Sequence, residues 1–150
     1  MVPVSLGSVR LTLHILAASI WVGGQLVLGG LIPAVRPAGV ERVRAVAQAF
    51  QRIAWPAFAV VVATGVWNLT AIDAANRSRE WWTTMLVKLA LVAASGTAAA
   101  IHVLVLGPAV RRATDDGSRR RAAMGSGICE GISVLAGLGA LFLGVVLSGQ

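Results

Sequence analysis

The chain has 150 residues and a mass of 15.5 kDa, with 57% hydrophobic residues, 13% charged residues and a mean hydropathy of +0.79. A soluble domain carries roughly 25% charged residues, so this composition excludes an ordinary soluble globule. The single cysteine excludes an internal disulfide and any zinc or iron–sulfur centre made from this chain's cysteines alone, and the net charge of +7 does not point to nucleic acid, because the basic residues sit in short connections between apolar runs.

The first run, residues 11–35, is free of formal charge and holds only His14 and Gln25 as strongly polar groups. A bilayer core needs about 20 apolar residues, so this run predicts a membrane-spanning helix over about 8–35. Only Arg10 precedes it as a cationic leader and the apolar stretch is too long for a signal peptide, so it is expected to be retained. In the connection that follows, Val40, Val43, Ala47 and Phe50 recur at helical spacing, which predicts a short interfacial helix on the cytoplasmic face. The second span is expected over about 52–73, with Trp55 at the inner interface and Pro56 in its first turn, where a missing amide hydrogen is tolerated. Trp81 and Trp82 open a third span over about 81–110, which carries only Lys88 and His102 as ionisable groups and reaches Pro108 at its inner end. Asp115 to Ser118 reads as a turn, and an uncharged run gives the fourth span over about 128–149. No segment alternates with period two, so the expected fold is all-α: a single polytopic domain, a bundle of four transmembrane helices with a short cytoplasmic interfacial helix.

Arginine sets the expected orientation. Arg36, Arg42, Arg44 and Arg52 lie in the first connection and Arg111, Arg112, Arg119, Arg120 and Arg121 in the third, whereas the other side holds Arg10, Arg77 and Arg79. The positive-inside rule then places both termini outside a bacterial-type inner membrane. Small residues allow the helices to approach closely: Gly23, Gly24, Gly29 and Gly30, the stretch 93–100, and Gly127, Gly131, Gly137 and Gly144. Packing within the bundle is their first role, and some could serve a homo-oligomer contact. The lipid bilayer is the expected partner, with no nucleic acid.

Ionisable groups inside a membrane are functional candidates. At 1.5 Å per residue, His14, Asn68 and Lys88 each lie roughly 6–10 Å below the outer surface and could share one site, with Thr64, Thr84 and Met85 near them. His102 lies roughly 9 Å above the inner surface, at the level expected for Arg52, Cys129 and Glu130. His14, Trp21 and Gln25 line one face of the first helix, and Lys88 and His102 one face of the third. These groups also have bland roles. Lys88 could snorkel to the outer interface, either histidine could be a satisfied core side chain, Glu130 could pair with Arg52 or sit in the positive first turn of helix four, and Cys129 could be a small buried hydrophobe.

Leu13–Gly24 (LHILAASIWVGG), Phe50–Leu69 (FQRIAWPAFAVVVATGVWNL), Trp81 with Lys88 in KLALV, Pro108 followed by Arg111 and Arg112, and Cys129–Leu141 (CEGISVLAGLGAL) together resemble the CopD-type copper-resistance domain family. A related four-helix family, the HemJ-type protoporphyrinogen oxidases, is similar in the same places. The CopD resemblance implies copper moved across the inner membrane, with His14 and Met85 as ligands on the outer side and His102 with Cys129 or Met124 on the inner side, since soft or imidazole donors suit copper. The HemJ resemblance implies haem b and porphyrinogen oxidation, with His14 as axial ligand, Lys88 as second ligand or propionate partner, and Asn68 and Trp21 lining the cofactor. His14 and His102 lie about 15 Å apart along the membrane normal, too far to ligate one iron. The first expectation is a non-enzymatic copper-binding protein and the alternative a haem-dependent membrane oxidoreductase; a third is a non-catalytic membrane subunit whose polar seam, with Asn68, Thr64 and Gln25, only holds helices together, and Gln25, Arg52 and Glu130 are expected as structural polar groups.

Overall fold

The computed structural model describes residues 5–149. These are almost wholly helical and fall into two compact units that divide between Asn76 and Arg77. Each unit is a helical hairpin, and its long helices are long and apolar enough to cross a membrane, which makes four candidate spans.

The first hairpin pairs α1 (Leu6–Val35) with α2 (Val40–Thr70). Ser5 caps α1 by accepting a hydrogen bond from the Ser8 amide at 3.1 Å. A single 3-10 turn, Arg36–Ala38, and Gly39 reverse the chain. Gly39 has φ +103°, the only positive φ among the described residues, and no Cβ is tolerated there without strain. The reversal brings Ala17, Ala18 and Val61 into one buried cluster. The Trp21 ring lies against Phe58 and Trp55, with centroids 4.4 and 5.5 Å away.

The second hairpin pairs α3 (Arg79–Ile101) with α5 (Asp116–Ser148). Ser78 caps α3 and Asp115 caps α5 through the Trp81 and Ser118 amides. Between α3 and the short α4 (Gly107–Arg112) the helix widens into a π turn at His102–Leu106, in which the Gly107 amide donates to the His102 carbonyl. Pro108 explains this widening: it has no hydrogen for the Leu104 carbonyl and its ring crowds that carbonyl, so the turn before it opens. The buried residues Trp81, Met85, Ser95 and Ala99 fall on one face of α3, and Ser133, Ala136, Gly137, Ala140 and Leu147 are buried on α5. Small side chains are prominent in both sets, as expected where close backbone approach drives association. Leu86, Leu135, Phe142 and Val145 remain exposed, which suits lipid and not water.

Three boundaries differ from those read in the sequence. The short interfacial helix expected before the second span is the beginning of α2 itself, which runs unbroken from Val40. Nothing between Gly39 and Ala71 stops a helix, and Pro56, expected in a first turn, lies in the interior of α2, where a membrane helix accommodates it. The fourth span starts at Asp116 and not near 128, so the turn comprises residues 113–115, and Glu130 stands well inside α5 and not in its positive first turn.

Candidate functional site

Two polar clusters, one in each hairpin, are built around the two histidines. In the first, His14 Nδ1 of α1 lies 2.8 Å from Thr64 Oγ1 of α2. The Thr64 hydroxyl donates back to the Val60 carbonyl at 2.6 Å, so it accepts from the imidazole. In the neutral ring the proton is therefore on Nδ1, and Nε2 carries the basic lone pair. Gly65 lies alongside the ring, where an added Cβ would meet His14 Cε1 at 3.5 Å. Asn68 follows Thr64 by one turn and is half-buried. Trp21 and Gln25 lie along the same α1 face, both buried, with Gln25 Nε2 donating to the Trp21 carbonyl at 2.9 Å.

In the second hairpin His102 Nδ1 lies 3.0 Å from both the carbonyl and the hydroxyl of Ser126 on α5. A carbonyl only accepts, so here too Nδ1 carries the proton. Nε2 faces Glu130 Oε2 at 3.8 Å, and both side chains are about one-third exposed, at 32% and 35%. Ser126 and Glu130 are one turn apart and so share a face of α5. Further along the seam Ser95 donates to the Ser133 carbonyl at 2.8 Å, with both residues fully buried. Beyond it lies Lys88, whose Nζ would be 3.3 Å from a Cβ added at Gly144.

The polar face expected on α1 thus meets α2, and the Lys88–His102 face of α3 meets α5. Glu130 faces His102, while Arg52 is an exposed residue of α2 in the other hairpin. Met85 is buried on α3, Cys129 is a half-buried free thiol next to Glu130 in the chain, and Met124 is exposed. Ser126, Ser95 and Ser133 were not singled out in the sequence. Their positions hold a signal: His102 and Ser126 are each twelve residues from Thr114, and Ser95 and Ser133 each nineteen, the mirror spacing of an antiparallel hairpin about its turn.

A sequence-family model described as CopD, copper resistance protein D, matches residues 44–148. The chain belongs to this family. The matched residues run from the first part of α2 to the end of α5, so they include Lys88, His102, Ser126 and Glu130, while α1 with His14 lies outside them. No curated protein and no solved structure matched the chain. Membership makes this a multi-pass membrane protein of the copper-resistance family. Among the described residues of the CopD chain, no three His, Cys, Asp or Glu side chains converge on one point.

Proposed function

We propose that this CopD protein binds copper as cargo within the membrane and passes it across, using its two intramembrane imidazoles. The observation that carries this reading is that each histidine is held by its Nδ1, to Thr64 in one hairpin and to Ser126 in the other, which puts the basic lone pair of the neutral ring on Nε2. Such anchoring fixes ring orientation and raises the basicity of that lone pair. A site of one or two protein ligands suits cargo that must leave again, whereas four converging ligands would hold an ion in place. The arginine bias supports an inner-membrane location with both hairpin turns in the cytoplasm and both termini outside. Arg111, Arg112 and Arg119–Arg121 flank the second turn, and His102 stands about 18 Å along the helix from Thr114 within that turn.

The test is copper content of the full chain, purified in detergent and dialysed against cuprous and cupric copper, compared with His14→Ala and His102→Ala. Bound copper is expected to fall in each variant. A wild-type protein that retains no copper in either oxidation state overturns the reading. An absorption spectrum of the same sample separates it from the haem b alternative: a Soret band lost on His14→Ala or Lys88→Ala would favour haem.

A further inference from the structure

The most unusual arrangement in the molecule is the pair of electron-rich atoms that face one another across the seam of the second hairpin. The Ser126 carbonyl fixes the His102 proton on Nδ1, so the neutral ring turns its Nε2 lone pair toward the Glu130 carboxylate. At 3.8 Å the two atoms are too far apart for a hydrogen bond, and a positive charge, whether a proton on the imidazole or a cation held between the two atoms, relieves their repulsion.

We infer that His102 Nε2 and Glu130 Oε2 form a binding site for a divalent transition-metal ion of borderline character, such as copper(II) or zinc(II). This rests on the reading of the chain as a metal-handling protein and specifies the oxidation state and the place at which it does so. Bonds of about 2.0–2.2 Å to each atom span the 3.8 Å gap at an N–metal–O angle of about 120–145°, which small side-chain movement brings to the tetrahedral range. The imidazole has the outer-shell partner that ligating histidines have, a backbone carbonyl on the opposite ring nitrogen. The ring is aimed by the π turn that begins at His102, and such wide turns are frequent at functional sites. Both side chains are about one-third exposed, so neither is sealed inside the packed seam. One nitrogen and one carboxylate oxygen suit a borderline divalent ion, whereas cuprous copper prefers thiolate and thioether donors.

The experiment titrates the full chain in detergent with Cu2+, followed by electron paramagnetic resonance, and with Zn2+, followed by calorimetry. One site per chain is expected, with hyperfine coupling to one nitrogen that disappears in His102→Ala. Glu130→Gln keeps the shape of the side chain and is expected to weaken both ions at least about tenfold. Circular dichroism of each variant checks that the helices are intact. Wild-type protein that takes up neither ion, or Glu130→Gln that binds both unchanged, overturns the inference and leaves an ordinary histidine–glutamate ion pair. If cuprous copper still binds in the first case, the copper reading survives and only the divalent site falls.

Discussion

Replacement of Ser95 tests the packing of the second hairpin at its tightest point. Ser95 is 1% exposed and Ser133 0%, and the Ser95 hydroxyl donates to the Ser133 carbonyl at 2.8 Å. Ser95→Ala removes the bond and little volume. Interhelical hydrogen bonds in membranes are worth about 0.6–1.7 kcal/mol, so the ratio of folded to unfolded protein should fall about 3- to 20-fold. Ser95→Leu removes the same bond and also forces an isobutyl group where α3 and α5 approach through small residues. Overpacking adds about 1–3 kcal/mol, so the total loss should be at least about 1.6 kcal/mol, or roughly 15-fold. Both are measured by titrating the protein from mild detergent into dodecyl sulfate and following Trp fluorescence and far-ultraviolet circular dichroism. A Ser95→Leu variant as stable as Ser95→Ala would refute the close approach of α3 and α5 at this level.

Three other perturbations follow from the geometry. Thr64→Val keeps the shape of the side chain but removes the acceptor of the His14 Nδ1 proton, and should cost about 0.6–2 kcal/mol in the same titration while the ring loses its fixed tautomer in nitrogen-15 spectra. Pro108→Ala restores a hydrogen for the Leu104 carbonyl and should tighten the π turn, turning His102 away from Ser126; an unchanged His102 nitrogen-15 signature would show that the proline does not cause the widening. The Asp115 carboxyl is held below its usual range by hydrogen bonds from Ser118, the side-chain contribution first, so its capping contribution is whole above the ordinary aspartate pKa and is lost as acid carries the solution down through the lowered folded-state value. Amide exchange at Ser118 should therefore show an acid-induced loss of protection in the wild type but not in Asp115→Asn, which caps without titrating; equal acid sensitivity in the two would count against the assignment.

The four spans were legible because a charge-free run longer than a bilayer core matches the thickness of lipid and has no stable place in water. Their starts were not, since hydropathy marks where lipid lies and not where a helix begins. Arg42 and Arg44 in α2, and Arg119–Arg121 in α5, end the apolar pattern but are good helix formers, so each helix continues back to Gly39 or to the Asp115 cap. The same error put Glu130 at a helix start, although its depth in the sequence already set it at the level of His102. The π turn left no trace in a segment that is apolar on every side, and only the pair Gly107–Pro108 hinted at it. His14 and Thr64 were recognised as neighbours in depth, whereas the serines passed unnoticed because small hydroxyl residues are common in membrane helices and only their mirror positions about Thr114 single them out.

The widened turn at His102–Leu106 also affects how this chain can change length. Each residue removed from a regular helix rotates all that follows by about 100° and carries it back along the axis. A π turn already holds one residue in excess, so a deletion among 103–106 would be absorbed as a return to ordinary helical winding, with the seam from Trp81 to Ala99 left in phase and the rearrangement confined to the arginine-bearing end. Homologues one residue shorter there should therefore exist as stable proteins, with their histidine pointing elsewhere.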